Sequence, residues 1–185
     1  MSGEASVRAF IALELDPPLH TALEELQQRL RPNLGGIRLV RPEGIHLTLR
    51  FLGPTRPEQI QSLGPSLAAA ARACPALEAR VRGVGMFPDR GRPRILWVGV
   101  DLPPAAFELQ RACEVAAQDT GFEREERPFR AHLTLGRWRE RAARAELPEV
   151  ELAPTRLDCL VLFRSELGKA GAVYTPLARF PLGGR

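Results

Sequence analysis

His46-Leu47-Thr48-Leu49 and His132-Leu133-Thr134-Leu135 are the same four residues, set 86 positions apart. Laying the chain on itself at that spacing needs no gap. Arg8 falls on Arg94, Pro17-Pro18 on Pro103-Pro104, Leu23 on Leu109, Gly35 on Gly121, Arg38 on Arg124 and Arg41-Pro42 on Arg127-Pro128. With the two HLTL stretches these make 12 identities in the 42 positions from Arg8 to Leu49, where chance would give roughly three. A unit present twice, at 8–49 and 94–135, implies two similar lobes about a pseudo-two-fold axis within one domain spanning 1–185. The period is too long, and the copies too few, for a solenoid.

Each copy reads as strand, helix, strand. Val7, Ala9, Ile11, Leu13 and Leu15 alternate as in a half-buried strand. Asp16 can cap a helix beginning at Pro17, and Leu19, Ala22, Leu23, Leu26 and Leu30 share one face of it. Asn33, Gly35 and Gly36 end that helix, and HLTL forms the second strand. In the second copy Ile95 to Val100 is the strand, Pro104 to Gln118 the helix and Gly121 its stop. Thr55-Arg56-Pro57-Glu58 reads as a capping box opening a further helix, which Gly64-Pro65 should kink or break. Leu77 to Met86 reads as a strand and Trp138 to Ala145 as a short helix. Leu157 to Phe163 and Val173 to Phe180 read as a terminal hairpin around Gly168 and Gly171. The fold class is α+β: bilobal, with antiparallel or mixed sheets lining a central groove and helices outside.

Apolar residues make up 44% and charged residues 26% of the 185 residues, which excludes a disordered chain. No apolar run is long enough for a membrane helix. The N-terminus, with acidic Glu4, lacks the pattern of a secretory leader, so a cytoplasmic location is expected. Cys74, Cys113 and Cys159 form no CxxC pair and suit a reducing compartment. The net charge of +4 comes from 25 arginines and the single Lys169 against 22 acidic residues. That surplus fits an anionic partner, and a cluster at Arg90, Arg92 and Arg94 could steer one.

Two of the chain's three histidines, His46 and His132, hold equivalent places in the repeat. Residues two apart in a strand share a face, so His46 with Thr48, and His132 with Thr134, point away from their leucine neighbours. A pseudo-two-fold axis would set the two polar faces against each other across a cleft. One imidazole can then act as base and the other as acid, on opposite sides of a phosphorus. The threonine hydroxyls can hold non-bridging oxygens, and neither metal nor cofactor is needed. The repeat makes the histidines equivalent, so the residues leave acid and base unassigned. A zinc site lacks a third ligand at any recognisable spacing. His20 has no repeat partner and reads as a solvated surface residue, Trp97 as core, and Trp138 as either groove or helix.

HLTLRFLG (His46 to Gly53), RPRILWVGV (Arg92 to Val100), HLTLGR (His132 to Arg137) and LFRSELGKAGAVYTPLARFPL (Leu162 to Leu182) together resemble the RNA 2′,3′-cyclic phosphodiesterase family. This family, LigT-like or ThpR and formerly called 2′-5′ RNA ligase, belongs to the two-histidine phosphoesterase superfamily. The resemblance runs from about Val7 to Leu182. It implies opening of a terminal 2′,3′-cyclic phosphate to a 2′-phosphate, with His46 as acid and His132 as base. It further implies that Thr48 and Thr134 hold the phosphate and that Arg137 and Phe51 lie around the terminal nucleobase. Tyr174 matches a family tyrosine, with packing as its expected role. The partners implied are RNA ends or nucleotides bearing a 2′,3′-cyclic phosphate, bound by a monomer. Ala131 stands where many relatives carry proline. Two alternatives accompany this reading: 2′-5′ RNA ligation as the main role, and a catalytically idle nucleotide- or RNA-binding module. Strict alternation would turn Phe51 and Arg137, each five residues past its histidine, to the wrong face. The strands must therefore end or bulge, as Gly53 and Gly136 permit.

Overall fold

Asp16 opens the first helix as its position demands: its Oδ1 accepts from Leu19 N at 3.0 Å and from the Thr155 hydroxyl at 2.9 Å. The computed structural model describes residues 6–140, 142–168 and 171–183; Glu4 and Lys169 lie outside them. In chain order the elements are β1 (Val7–Leu13), α1 (Pro17–Leu30), β2 (Ile37–Leu39), β3 (Leu47–Thr55), α2 (Pro57–Ala73), β4 (Leu77–Phe87), β5 (Ile95–Asp101), α3 (Pro104–Asp119), β6 (His132–Trp138), β7 (Thr155–Leu157), β8 (Cys159–Gly168) and β9 (Gly171–Pro181).

The strands form two antiparallel sheets, ordered β3-β1-β8-β9 and β2-β6-β5-β4-β7. The repeat is visible in these orders. β3-β1 in the first sheet corresponds to β6-β5 in the second, and β8 sits beside β1 as β4 sits beside β5. The third strand of each sheet comes from the opposite half of the chain, which ties the lobes together. Ala9, Ile11 and Leu13 of β1, Leu96, Val98 and Val100 of β5, and the buried faces of all three helices join one hydrophobic core. The helices therefore cover one side of both sheets. On the other side Phe10, Ala12, Val161 and Phe163 form a small separate cluster.

Four local expectations are corrected. The helix start is at Arg56, whose backbone N–H donates to Gln59 Oε1 at 3.1 Å, while the Thr55 hydroxyl turns back to Gly53 O. α2 runs unbroken through Pro65, because that residue and Gln61, whose carbonyl loses its partner, both face outward. Trp138 to Ala145 is no helix among its described residues. Trp138 belongs to β6, with its indole N–H on Gly35 O, and Ala142 N bonds Pro93 O, so outside contacts replace helical ones. The expected strand at Leu157 divides at Asp158: β7 pairs with β4 in the second sheet, and β8 with β1 in the first.

Candidate active site

The register of β3 and β6 decides which side chains meet. In β3, Thr48 pairs with Ala12 and Phe51 with Phe10, leaving Leu49 as an extra residue between Thr48 and Arg50. In β6, Thr134 pairs with Trp97 and Arg137 with Ile95, leaving Leu135 as the extra residue. Each bulge shifts the alternation by one. Thr48 and Phe51 therefore share a face with Phe10, and His132, Thr134 and Arg137 share a face with Trp97. The strands do bulge, at the leucine closing each HLTL; in β6 that residue adjoins Gly136, and β3 bulges again at Leu52, which adjoins Gly53. Both faces lie on the side of the sheets away from the helices, and β3 approaches β6 where the sheets meet.

The histidines are anchored alike. His46 Nδ1 lies 3.1 Å from Gly44 O, and His132 Nδ1 lies 2.6 Å from Arg130 O. A carbonyl only accepts, so each Nδ1 carries the hydrogen and each Nε2 keeps its lone pair. His46 sits one residue before β3, after a 3₁₀ turn at Pro42–Gly44; His132 is the first residue of β6. Burial pulls the His46 imidazole down to about 4, opposed by its bond to Gly44; nearby His20 lowers it further and Glu14 opposes. Burial also lowers His132, opposed by its bond to the Arg130 carbonyl, and the charges of Arg130 and Arg137 lower it further. Both rings are thus neutral at pH 7 until an anion arrives beside them.

Aromatic residues shape both halves, and three of them, Phe10, Phe87 and Phe163, carried no role in the sequence. Phe163 lies 4.3 Å from the His46 ring centroid, Tyr174 meets it edge-on at 5.3 Å, and Phe10 does so at 5.9 Å. On the second sheet Phe87 stands edge-on to His132 at 5.1 Å and packs on Trp97 at 5.1 Å. The Arg130 guanidinium lies 4.6 Å over the Phe87 ring. Phe10 and Phe163 are the single aromatic residues of β1 and β8, and nothing local in either strand marks them as neighbours of His46. Trp97 is half-buried on the face shared with Thr134, not in the core; its indole fills the space over Gly85, where a Cβ would come within 2.2 Å. Trp138, by contrast, is core. His20 is half-buried with an unpartnered, buried Nε2, not a free surface residue.

Phe51 is 56% exposed, which removes it from the core. Between it and Leu49 lies Arg50, buried and ion-paired through Nε with Glu114 at 2.5 Å. Its other nitrogens donate to the carbonyls of Phe51 and Glu123, clamping β3 onto α3 just beyond the bulge. Arg90, Arg92 and Arg94 are exposed, and Arg94 bonds the Arg139 carbonyl. Among the described residues no three metal-ligating side chains gather, and no helix is long and apolar enough to cross a membrane.

A family model, described as LigT like Phosphoesterase, matches residues 13–97 and 100–174. The chain belongs to this phosphoesterase family. It is 33% identical over 183 residues to an RNA 2′,3′-cyclic phosphodiesterase of Methanothermobacter thermautotrophicus, covering 95% of this chain and 99% of that protein. A protein of the same name from Thermus thermophilus is also 33% identical, over 96% of this chain and 91% of its own. A solved Thermus thermophilus structure superposes with a TM-score of 0.86 at 31% identity, covering 96% of this chain and 98% of that one. Escherichia coli LigT matches in fold at a TM-score of 0.83 and 23% identity, over 97% of this chain and 99% of its own.

Proposed function

We propose that the chain, acting as one two-lobed domain, hydrolyses the terminal 2′,3′-cyclic phosphate of RNA to a 2′-phosphate. The observation that carries this is the matched pair of histidines: each is held through Nδ1 by a backbone carbonyl, which leaves Nε2 its lone pair, and each precedes by two residues a threonine of a bulged strand. The name shared by relatives that align over almost the whole chain supports the substrate class. Solved forms of Escherichia coli LigT are complexes with 3′-AMP, phosphate and ATP, which is in keeping with a nucleotide ligand for this fold.

His132 Nε2 takes a proton from water as the water oxygen attacks phosphorus. The P–O3′ bond breaks, and His46 Nε2–H gives its proton to the departing O3′, leaving the phosphate on O2′. Thr48 and Thr134 donate to the non-bridging oxygens. A free-enzyme His46 near 4 makes a poor proton reservoir at neutral pH. The bound phosphate supplies the negative charge that raises it, so protonation of the acid accompanies substrate binding. Phe51 and Arg137 stack on the terminal base. Two imidazoles and two hydroxyls suffice for this chemistry, in a cytoplasmic monomer acting on RNA ends.

The test is incubation of a short RNA ending in 2′,3′-cyclic phosphate with and without EDTA, with the terminal product identified. The expected product is the 2′-phosphate at equal rates in both. A 3′-phosphate would reverse the leaving-group assignment. Loss of turnover with chelator, restored by a divalent ion, would defeat the metal-independent mechanism.

A further inference from the structure

Arg38 of β2 lies directly opposite Arg137 of β6, and both are exposed. Directly paired residues share a face, so Arg38 joins Arg137, Thr134 and His132. Like charges placed opposite each other weaken a sheet, and among the described residues no ion pair relieves either arginine. β2 is an addition at the edge of the second sheet, beyond the strands that correspond between the lobes. The Arg38 guanidinium reaches toward the β8–β9 hairpin of the first sheet. Its Nη2 lies 3.3 Å from where a Cβ on Gly171 would stand, and the φ of +131° there favours glycine. A bare backbone thus leaves room for the guanidinium between the two sheets. An open pocket of about 600 Å³ lies at the same sheet edge, with Gly35, Gly36, Ile37, Arg38 and Trp138 in its lining.

We propose that Arg38 forms a phosphate subsite for the nucleotide on the 5′ side of the cyclic end, so that the protein prefers oligoribonucleotides to mononucleotides. This rests on the reading of the groove given above, in which Arg137 attends the terminal nucleotide. Arg38 stands one strand farther out, with an unspent planar fork suited to a phosphodiester. The cost of opposing like charges in the free protein is recovered when an anionic strand crosses both.

Two measurements test it. The first is kcat/KM for a cyclic mononucleotide and for a tetraribonucleotide with the same cyclic end. Arg38→Gln should cut the oligonucleotide-to-mononucleotide ratio roughly 10-fold, through KM, as expected for one charge-assisted contact. Gly171→Ala, which crowds the guanidinium without removing it, should move the ratio the same way. Arg29→Gln, which removes an exposed charge from α1, should leave it unchanged. The second is binding of an oligonucleotide already ending in 2′-phosphate. The slope of log Kd against log salt should fall by about 0.7 in Arg38→Gln, one single-strand phosphate contact, and recover in Arg38→Lys. An unchanged ratio, an unchanged slope, or equal losses on both substrates would overturn the subsite. If the wild type opens neither cyclic end, the hydrolase reading fails, and the salt slope still decides the subsite.

Discussion

Holding His46 neutral costs the protein stability in acid, and the cost is large enough to measure. The unfolded chain takes up a proton at the ordinary histidine value of 6.5, whereas the folded ring does so only near 4. Between those values the unfolded state binds more protons, so stability falls as pH falls through the window. At about 1.4 kcal/mol per pH unit the loss approaches about 3 kcal/mol below pH 4, and about 2 kcal/mol of it is present at pH 5. Urea unfolding of the wild type and of His46→Gln, each at about pH 7.5 and pH 5, isolates this contribution. His132 and the carboxylates titrate in both proteins and cancel in the double difference. The wild type should lose about 2 kcal/mol more than the variant. Parallel losses, or an NMR titration of the His46 ring with a midpoint near 6.5, would refute the burial argument.

His46→Ala and His132→Ala should each lower kcat by roughly 10² to 10⁴-fold, and the double variant should be little worse than either, since the two act as a unit. Near-wild-type turnover in either single variant removes that ring from the mechanism. Phe51→Leu should raise KM by the equivalent of about 1–3 kcal/mol, whereas Thr48→Val and Thr134→Val should lower kcat; an unchanged KM in Phe51→Leu ends the stacking assignment. Gly85→Ala should cost about 1–3 kcal/mol in a denaturant melt by displacing the Trp97 indole, and an unaltered midpoint would show that the indole has somewhere else to go.

The lobes were legible because duplication writes the same local code twice. Asp16 followed by two prolines states a helix start in its own residues, and Ile11 and Leu13 state a buried face by alternation. What lay beyond reach depends on partners distant in the chain. The break at Asp158 exists because β7 and β8 find different sheets, and nothing near Asp158 announces it. Trp138 follows a strand and precedes charged residues, a pattern open to helix or strand until Ile37 arrives as its neighbour. Trp97 reads as core from its β-rich setting. Only the facing Gly85 on another strand shows that the indole is accommodated on the opposite side. The aromatic cage of His46 draws on β1, β8 and β9, so the sequence lists its members without bringing them together.

The two bulges tie the fold to the chemistry. A leucine in the fourth place of HLTL continues the core face begun by the second, and Leu49 and Leu135 are both buried. In an unbroken strand the residue five past the histidine would follow those leucines inward. Inserting one residue at the fourth position satisfies both demands. The leucine still fills the core, and the chain beyond it is turned over, so that Phe51 and Arg137 emerge beside the histidines. The same device appears in both lobes, yet it delivers an aromatic ring on one side and a guanidinium on the other. The repeat thus conserves the placement while the residues diverge, which fits a substrate whose phosphorus is approached from two equivalent sides and whose base is not symmetric.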